Sequence, residues 1–132
     1  MNMKLETTEH NPLNDPIEIL LVDDRLSNLV TMENALASPI YKFFKAASGQ
    51  EALKYLLYHE PALILMDVQM PDINGYETAT IIKQNPRTSE IPIIFVTVMN
   101  LDKQHVLQSY SHGAVDYVYK PYHPHVLRSK VA

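Results

Sequence analysis

Ala62-Leu63-Ile64-Leu65-Met66-Asp67-Val68-Gln69-Met70-Pro71 is the stretch from which the fold can be read. A run of apolar residues follows Pro61 and ends at a carboxylate. A short apolar run without polar alternation is the pattern of a strand covered on both faces, as in a parallel sheet. Open α/β sheets bind ligands at the carboxyl ends of their strands, so Asp67 falls where chemistry is expected. A second run, Ile17-Glu18-Ile19-Leu20-Leu21-Val22, ends in Asp23 and Asp24. Two strands thus deliver three acids to one sheet edge, which points to a metal-assisted site.

Working outward, the chain alternates strand-like and helix-like segments. Strands are predicted over 17–22, 42–47, 62–66, 91–97 and 115–119. The first helix is predicted over 26–37, with Leu26, Leu29, Val30, Glu33 and Leu36 on one stripe, and Pro39 stops it. The second opens at Ser48-Gly49-Gln50-Glu51, a capping box. It turns Ala52, Leu53, Leu56 and Leu57 inward and ends before Pro61. A third is expected over 76–85, and a fourth over 101–111 with Gly113 as its stop. A fifth begins near His123, with Pro124 in its first turn. Five strands alternating with five helices imply a parallel sheet covered on both faces, joined by right-handed crossovers.

Residues 1–16, polar and containing Pro12 and Pro16, read as a flexible leader. Residues 17–132 read as one domain. Its last helix holds only about ten residues, short for a helix, so the domain is expected to be truncated within that helix and to precede further chain.

Composition narrows the function. A length of 132 residues suits a single core. The net charge of −4 argues against direct nucleic-acid binding. The absence of cysteine excludes disulfides, thiolate metal sites and cysteine nucleophiles. No apolar stretch is long enough to span a bilayer, and residues 1–14 lack the core of a signal peptide. A cytoplasmic protein without membrane contact is expected. Three glycines leave no ATP-binding glycine loop. His123 and His125 are two apart and do not share a helix face, and His105 with His112 lacks a third ligand, so no zinc site is expected.

Leu21-Val22-Asp23-Asp24, Met66-Asp67-Val68-Gln69-Met70-Pro71-Asp72-Ile73-Asn74-Gly75, Ile94-Phe95-Val96-Thr97 and Asp116-Tyr117-Val118-Tyr119-Lys120-Pro121 together resemble the receiver (phosphoacceptor) domain of two-component response regulators. The resemblance runs from about Ile17 to the end of the chain. It implies a flavodoxin-like three-layer α/β/α sandwich with strand order 2-1-3-4-5. It also implies transfer of a phosphoryl group to an aspartate from a histidine kinase or a phosphotransfer protein. A C-terminal output or kinase domain outside this chain is expected with it, and the fold allows a homodimer.

Each residue type suits its role. A carboxylate such as Asp67 can act as a nucleophile and form an acyl phosphate. Two unit charges near 4 Å repel by about 4 kcal/mol at an intermediate dielectric. Clustered acids therefore raise one another's pKa or collect a cation, and Mg²⁺ suits a site with few protein oxygens. The resemblance makes Asp24 and Asp67 direct ligands, with Asp23 acting mainly through water and the backbone carbonyl of Gln69 supplying another oxygen. Lys120 can reach the phosphoryl oxygens as a point charge, and Thr97 can donate to them. Tyr117 stands at the position of the family's switch aromatic, and the resemblance implies a cis Lys120–Pro121 bond. The resemblance also places Gln69, Val98 and Met99 at positions that help set phosphoryl gain and loss in the family. Val98 is bulkier than the usual small residue, and Met99 cannot position an attacking water, so a long-lived phosphoryl group is expected.

The switching surface is expected on the fourth helix, fifth strand and fifth helix, including His105, Gln108, Tyr110, His112, Tyr119 and Tyr122. Three other readings compete. A haloacid-dehalogenase-type Mg²⁺ phosphatase needs Asp-x-Asp after the first strand, where this chain has adjacent acids. A flavodoxin-like FMN protein needs a Ser/Thr/Gly-rich loop at the same place. A receiver that binds partners without phosphorylation would not need the full acid, threonine and lysine set.

Overall fold

The computed structural model describes residues 15–98 and 116–132. Its strands are β1 (Ile17–Val22), β2 (Tyr41–Ala46), β3 (Leu63–Met66), β4 (Ile93–Val98) and β5 (Asp116–Lys120). Its helices are α1 (Leu26–Leu36), α2 (Gly49–Leu56), α3 (Gly75–Gln84) and α4 (Pro124–Val131). All strand pairs are parallel, in the order β2-β1-β3-β4-β5. This is the expected flavodoxin-like sandwich. The helix predicted over 101–111 lies outside the described residues, as do Met99, His105, Gln108, Tyr110 and His112.

Period-two geometry sorts the strand residues into two cores. Leu20, Val22, Ile64, Met66 and Phe95 point to the side of α2 and α3, where Ala52, Leu56, Ala79 and Ile82 meet them. Ile19, Leu21, Leu65, Ile94 and Val96 point to the other side, against Leu29, Met32 and Leu36 of α1 and Leu127 of α4. The central strands are therefore apolar throughout. The edge strands are only partly covered, and β2 carries exposed Lys42 and Lys45.

Some details differ from the sequence reading. Strand bounds shift by a residue or two. On α1, Leu26 and Val30 face solvent, while Met32 and Ala35 are buried. That helix packs against both the sheet and α4, where Arg128 Nη1 donates to the Ala35 carbonyl at 3.2 Å, so its buried stripe is rotated. Leu57 lies past the end of α2 and is exposed. Ser48 caps α2 by accepting from Glu51 N at 3.0 Å, but the Glu51 carboxylate reaches one residue further back, to Ala47 N at 2.9 Å. The complete capping box is at α3, where the Asn74 side chain accepts from Glu77 N and the Glu77 carboxylate accepts from Asn74 N. His123 caps α4, its Nδ1 accepting from His125 N, and Pro124 takes the first turn.

Gly75 presses the start of α3 against the end of β3. Its N–H donates to the Val68 carbonyl at 2.8 Å. A Cβ there would lie 2.3 Å from the Asp67 carbonyl oxygen and 2.8 Å from Val68 Cα, both backbone atoms that cannot swing aside. Gly75→Ala is therefore expected to cost about 1–3 kcal/mol of stability, the range for overpacking. Denaturant unfolding checks this, and an unchanged midpoint would contradict the close approach.

Candidate functional site

The sheet register places the acids side by side. Val22 pairs with Met66, so Asp23 and Asp67 follow from adjacent strands. Asp67 N donates to the Val22 carbonyl at 2.9 Å, and Asp23 N to the Ala46 carbonyl at 3.1 Å, which fixes both residues at the sheet edge. Carboxylate oxygens of Asp23, Asp24 and Asp67 all lie within 4.8 Å of one another. Asp23 is fully buried, Asp67 is buried and Asp24 is exposed.

Lys120 enters from the far side of the sheet. Val98 pairs with Lys120 across β4 and β5. From there its Nζ reaches Asp23 Oδ2 at 2.9 Å and Asp67 Oδ2 at 3.4 Å. The peptide bond to Pro121 is cis. With every group ionised, three carboxylates against one ammonium leave a formal charge of −2. A divalent cation balances that charge, and the all-oxygen donor set fits Mg²⁺.

The three acids are not equivalent. Asp23 Oδ1 accepts from Arg25 N at 3.0 Å and Asn28 Nδ2 at 3.2 Å, while its Oδ2 holds Lys120. Asp23 therefore has both oxygens committed to the protein and ties down the start of α1. The Asp67 carboxyl is held above the ordinary carboxylate range. Burial is the main cause, and the Asp23 charge adds to it; Lys120, the Thr97 hydroxyl and the Gln69 amide oppose it without prevailing. Gln69 N lies 3.4 Å from Asp67 Oδ1, a long contact, and the Gln69 side chain is exposed.

Thr97 is buried near the end of β4. Its hydroxyl is close enough to influence Asp67, yet it makes no hydrogen bond of ordinary geometry. Tyr117 lies beside Phe95 on the α3 side of the sheet. Val98 is exposed on the opposite side, lining a cavity of about 810 Å³ between α1 and the β5–α4 link with Asn28, Met32 and Lys120. Asp23, Asp24, Asp67, Thr97 and Lys120 thus converge, while Val98 and Tyr117 stand off on either face. Sequence reading gave no role to Asn28 or Tyr76. The only signal for Asn28 was an amide in the first helical turn after paired acids.

Residues 19–132 match the family described as the response regulator receiver domain. A probable cyclic di-GMP phosphodiesterase of Vibrio cholerae is 41% identical over 113 residues, 86% of this chain and 25% of that protein. The response regulator Rre1 of Synechocystis is 31% identical over 118 residues, 89% of this chain and 51% of that protein. The chain therefore spans between a quarter and about half of these curated relatives. Among solved structures, the signal receiver domain of a histidine kinase from Syntrophus aciditrophicus aligns with a TM-score of 0.79 at 33% identity, covering 86% of each chain.

Proposed function

The chain belongs to the receiver-domain family of two-component response regulators, and from that premise we propose that Asp67 is its phosphoacceptor. The observation that carries this is the meeting of a buried, reluctantly ionised Asp67 with two further acids and the Lys120 ammonium. In the proposed step a carboxylate oxygen of Asp67 attacks phosphorus, and an O–P bond forms as the donor's N–P bond breaks. The freed donor nitrogen keeps the electron pair of that bond. Lys120 receives charge on the phosphoryl oxygens, and the Thr97 hydroxyl donates to one of them.

Asp24 and Asp67 would hold Mg²⁺ directly, with the Gln69 carbonyl. Asp23, whose oxygens already serve Lys120, Arg25 and Asn28, would act through water. When bound, Mg²⁺ supplies positive charge that offsets the phosphoryl oxygens. Family membership leaves the dehalogenase-type phosphatase without support, and the retained acids, Thr97 and Lys120 weigh against a purely phosphate-independent receiver.

The donor is proposed to be a histidine kinase or phosphotransfer protein in the cytoplasm, and the response to pass to an output domain outside these residues. Among the described residues no helix is long and apolar enough to cross a membrane. The response is proposed to use the surface carrying Tyr119 and Tyr122, biased by a phosphoryl group that adds charge at one point.

Intact mass after incubation with Mg²⁺ and a small amido-phosphate donor tests the reading. One added phosphoryl group is expected, and none when a chelator is present. Val98 guards the Lys120 side of the site, so Val98→Ala is expected to speed uptake from the small donor severalfold. An unchanged rate would remove Val98 from any gating role. The phosphoryl group, once formed, is expected to outlast a half-life of seconds.

A further inference from the structure

Tyr76, the second residue of α3, is 3% exposed. Its ring meets Phe95 edge-on, with centroids 5.1 Å apart and planes at 87°. Phe95 in turn lies 5.9 Å from the ring of Tyr117. The Tyr76 and Tyr117 hydroxyls hydrogen-bond to each other. Burial drives the Tyr76 phenol far above its ordinary pKa, with the Tyr117 hydroxyl adding to the effect, so it stays neutral and able to donate or accept. Tyr76 also follows Gly75, whose backbone is pressed against Asp67 and Val68. A packed path therefore joins the acid site, the start of α3 and Tyr117.

We propose that Tyr76 is a positioning residue whose hydroxyl holds Tyr117 on the α3 side of the sheet before any phosphoryl group arrives. Its effect on switching rests on the reading of Asp67 as phosphoacceptor; the latch itself does not. The consequence is a division of labour along β4. Thr97, two residues beyond Phe95, has a buried hydroxyl that faces Asp67 and takes no part in this latch. Tyr117 is already seated. A phosphoryl group shifts a conformational equilibrium only by its differential contacts with the two states. A hydroxyl pair that holds Tyr117 in one of those states enters that difference, so Tyr76 biases the equilibrium on which the phosphoryl group acts.

Tyr76→Phe keeps the ring and deletes the latch. Nitration mapped by peptide mass should find Tyr117 roughly two- to tenfold more reactive in the variant, the ratio that a lost hydrogen bond of ordinary net strength corresponds to. Tyr55, whose hydroxyl is buried beneath a separate aromatic cluster, reports on general loosening and should not change. Equal Tyr117 reactivity in the two proteins, or a parallel rise at Tyr55, would overturn the proposal. In phosphorylation by the small donor, Tyr76→Phe and Tyr117→Phe should each slow uptake, and the double variant should be no slower than either alone. Additive slowing would also overturn it. If the unaltered chain takes up no phosphoryl group, the reading of Asp67 fails, while nitration still decides the role of Tyr76.

Discussion

Asp67→Asn is expected to end phosphoryl uptake and to raise the melting temperature of the metal-free protein. The first effect follows from chemistry, because an amide oxygen is too weak a nucleophile to form the acyl phosphate. Intact mass should move from one added group to none. The second follows from electrostatics. Burial and the neighbouring Asp23 hold the Asp67 carboxyl above its ordinary value of 3.8, so folding ionised Asp67 costs free energy that Asn does not incur. The sign is fixed by linkage. Above the raised folded pKa the cost is present in full. It shrinks as pH falls through that value and vanishes below 3.8, where both states are protonated. The variant should therefore melt a few degrees higher at neutral pH, with the gap closing on acidification. Thermal melts in chelator at a series of pH values check this, and a variant less stable than the unaltered chain at neutral pH would contradict it.

Lys120→Met is expected to act in the opposite sense. Lys120 is the cation that touches both Asp23 and Asp67 among the described residues, and Asp23 is fully buried. Removing one partner of a buried pair strands the other charge, typically at about 3–5 kcal/mol. Here Lys120 is partly exposed, so a loss nearer ~3 kcal/mol is expected in chelator. Saturating Mg²⁺ should restore most of it, because the ion takes over neutralisation of the acids. The gain in melting temperature on adding Mg²⁺ should thus be larger in the variant than in the unaltered chain. An equal loss in chelator and in Mg²⁺ would mean that Lys120 acts through packing, not charge.

The fold was legible wherever burial is two-sided. Ile19–Val22 and Ile64–Met66 are apolar because helices cover both faces, so pattern and position agree. The acids were legible for a related reason: a charge directly after such a strand has few explanations other than function. What escaped reading depends on tertiary geometry. The buried stripe of α1 turns toward Met32 and Ala35 because α4, more than ninety residues later in sequence, packs beside it. Asn74 looked like part of a loop, yet it caps α3; the preceding turn places Asp72 at a φ of 68°. Tyr76 marked only the start of a predicted helix, since its partner Tyr117 reaches it across 41 residues of chain. The preference of Lys120 for Asp23 over Asp67 likewise depends on distances that no spacing encodes.

β1 and β3 are neighbours while β5 lies at the far edge, and synthesis from the N-terminus makes Asp23 and Asp67 before Lys120. Domains generally fold as units. The acids thus come from the first-made strands, and the last-made strand carries the charge that offsets them. Docking of β5 therefore completes the sheet and the charge balance in one event.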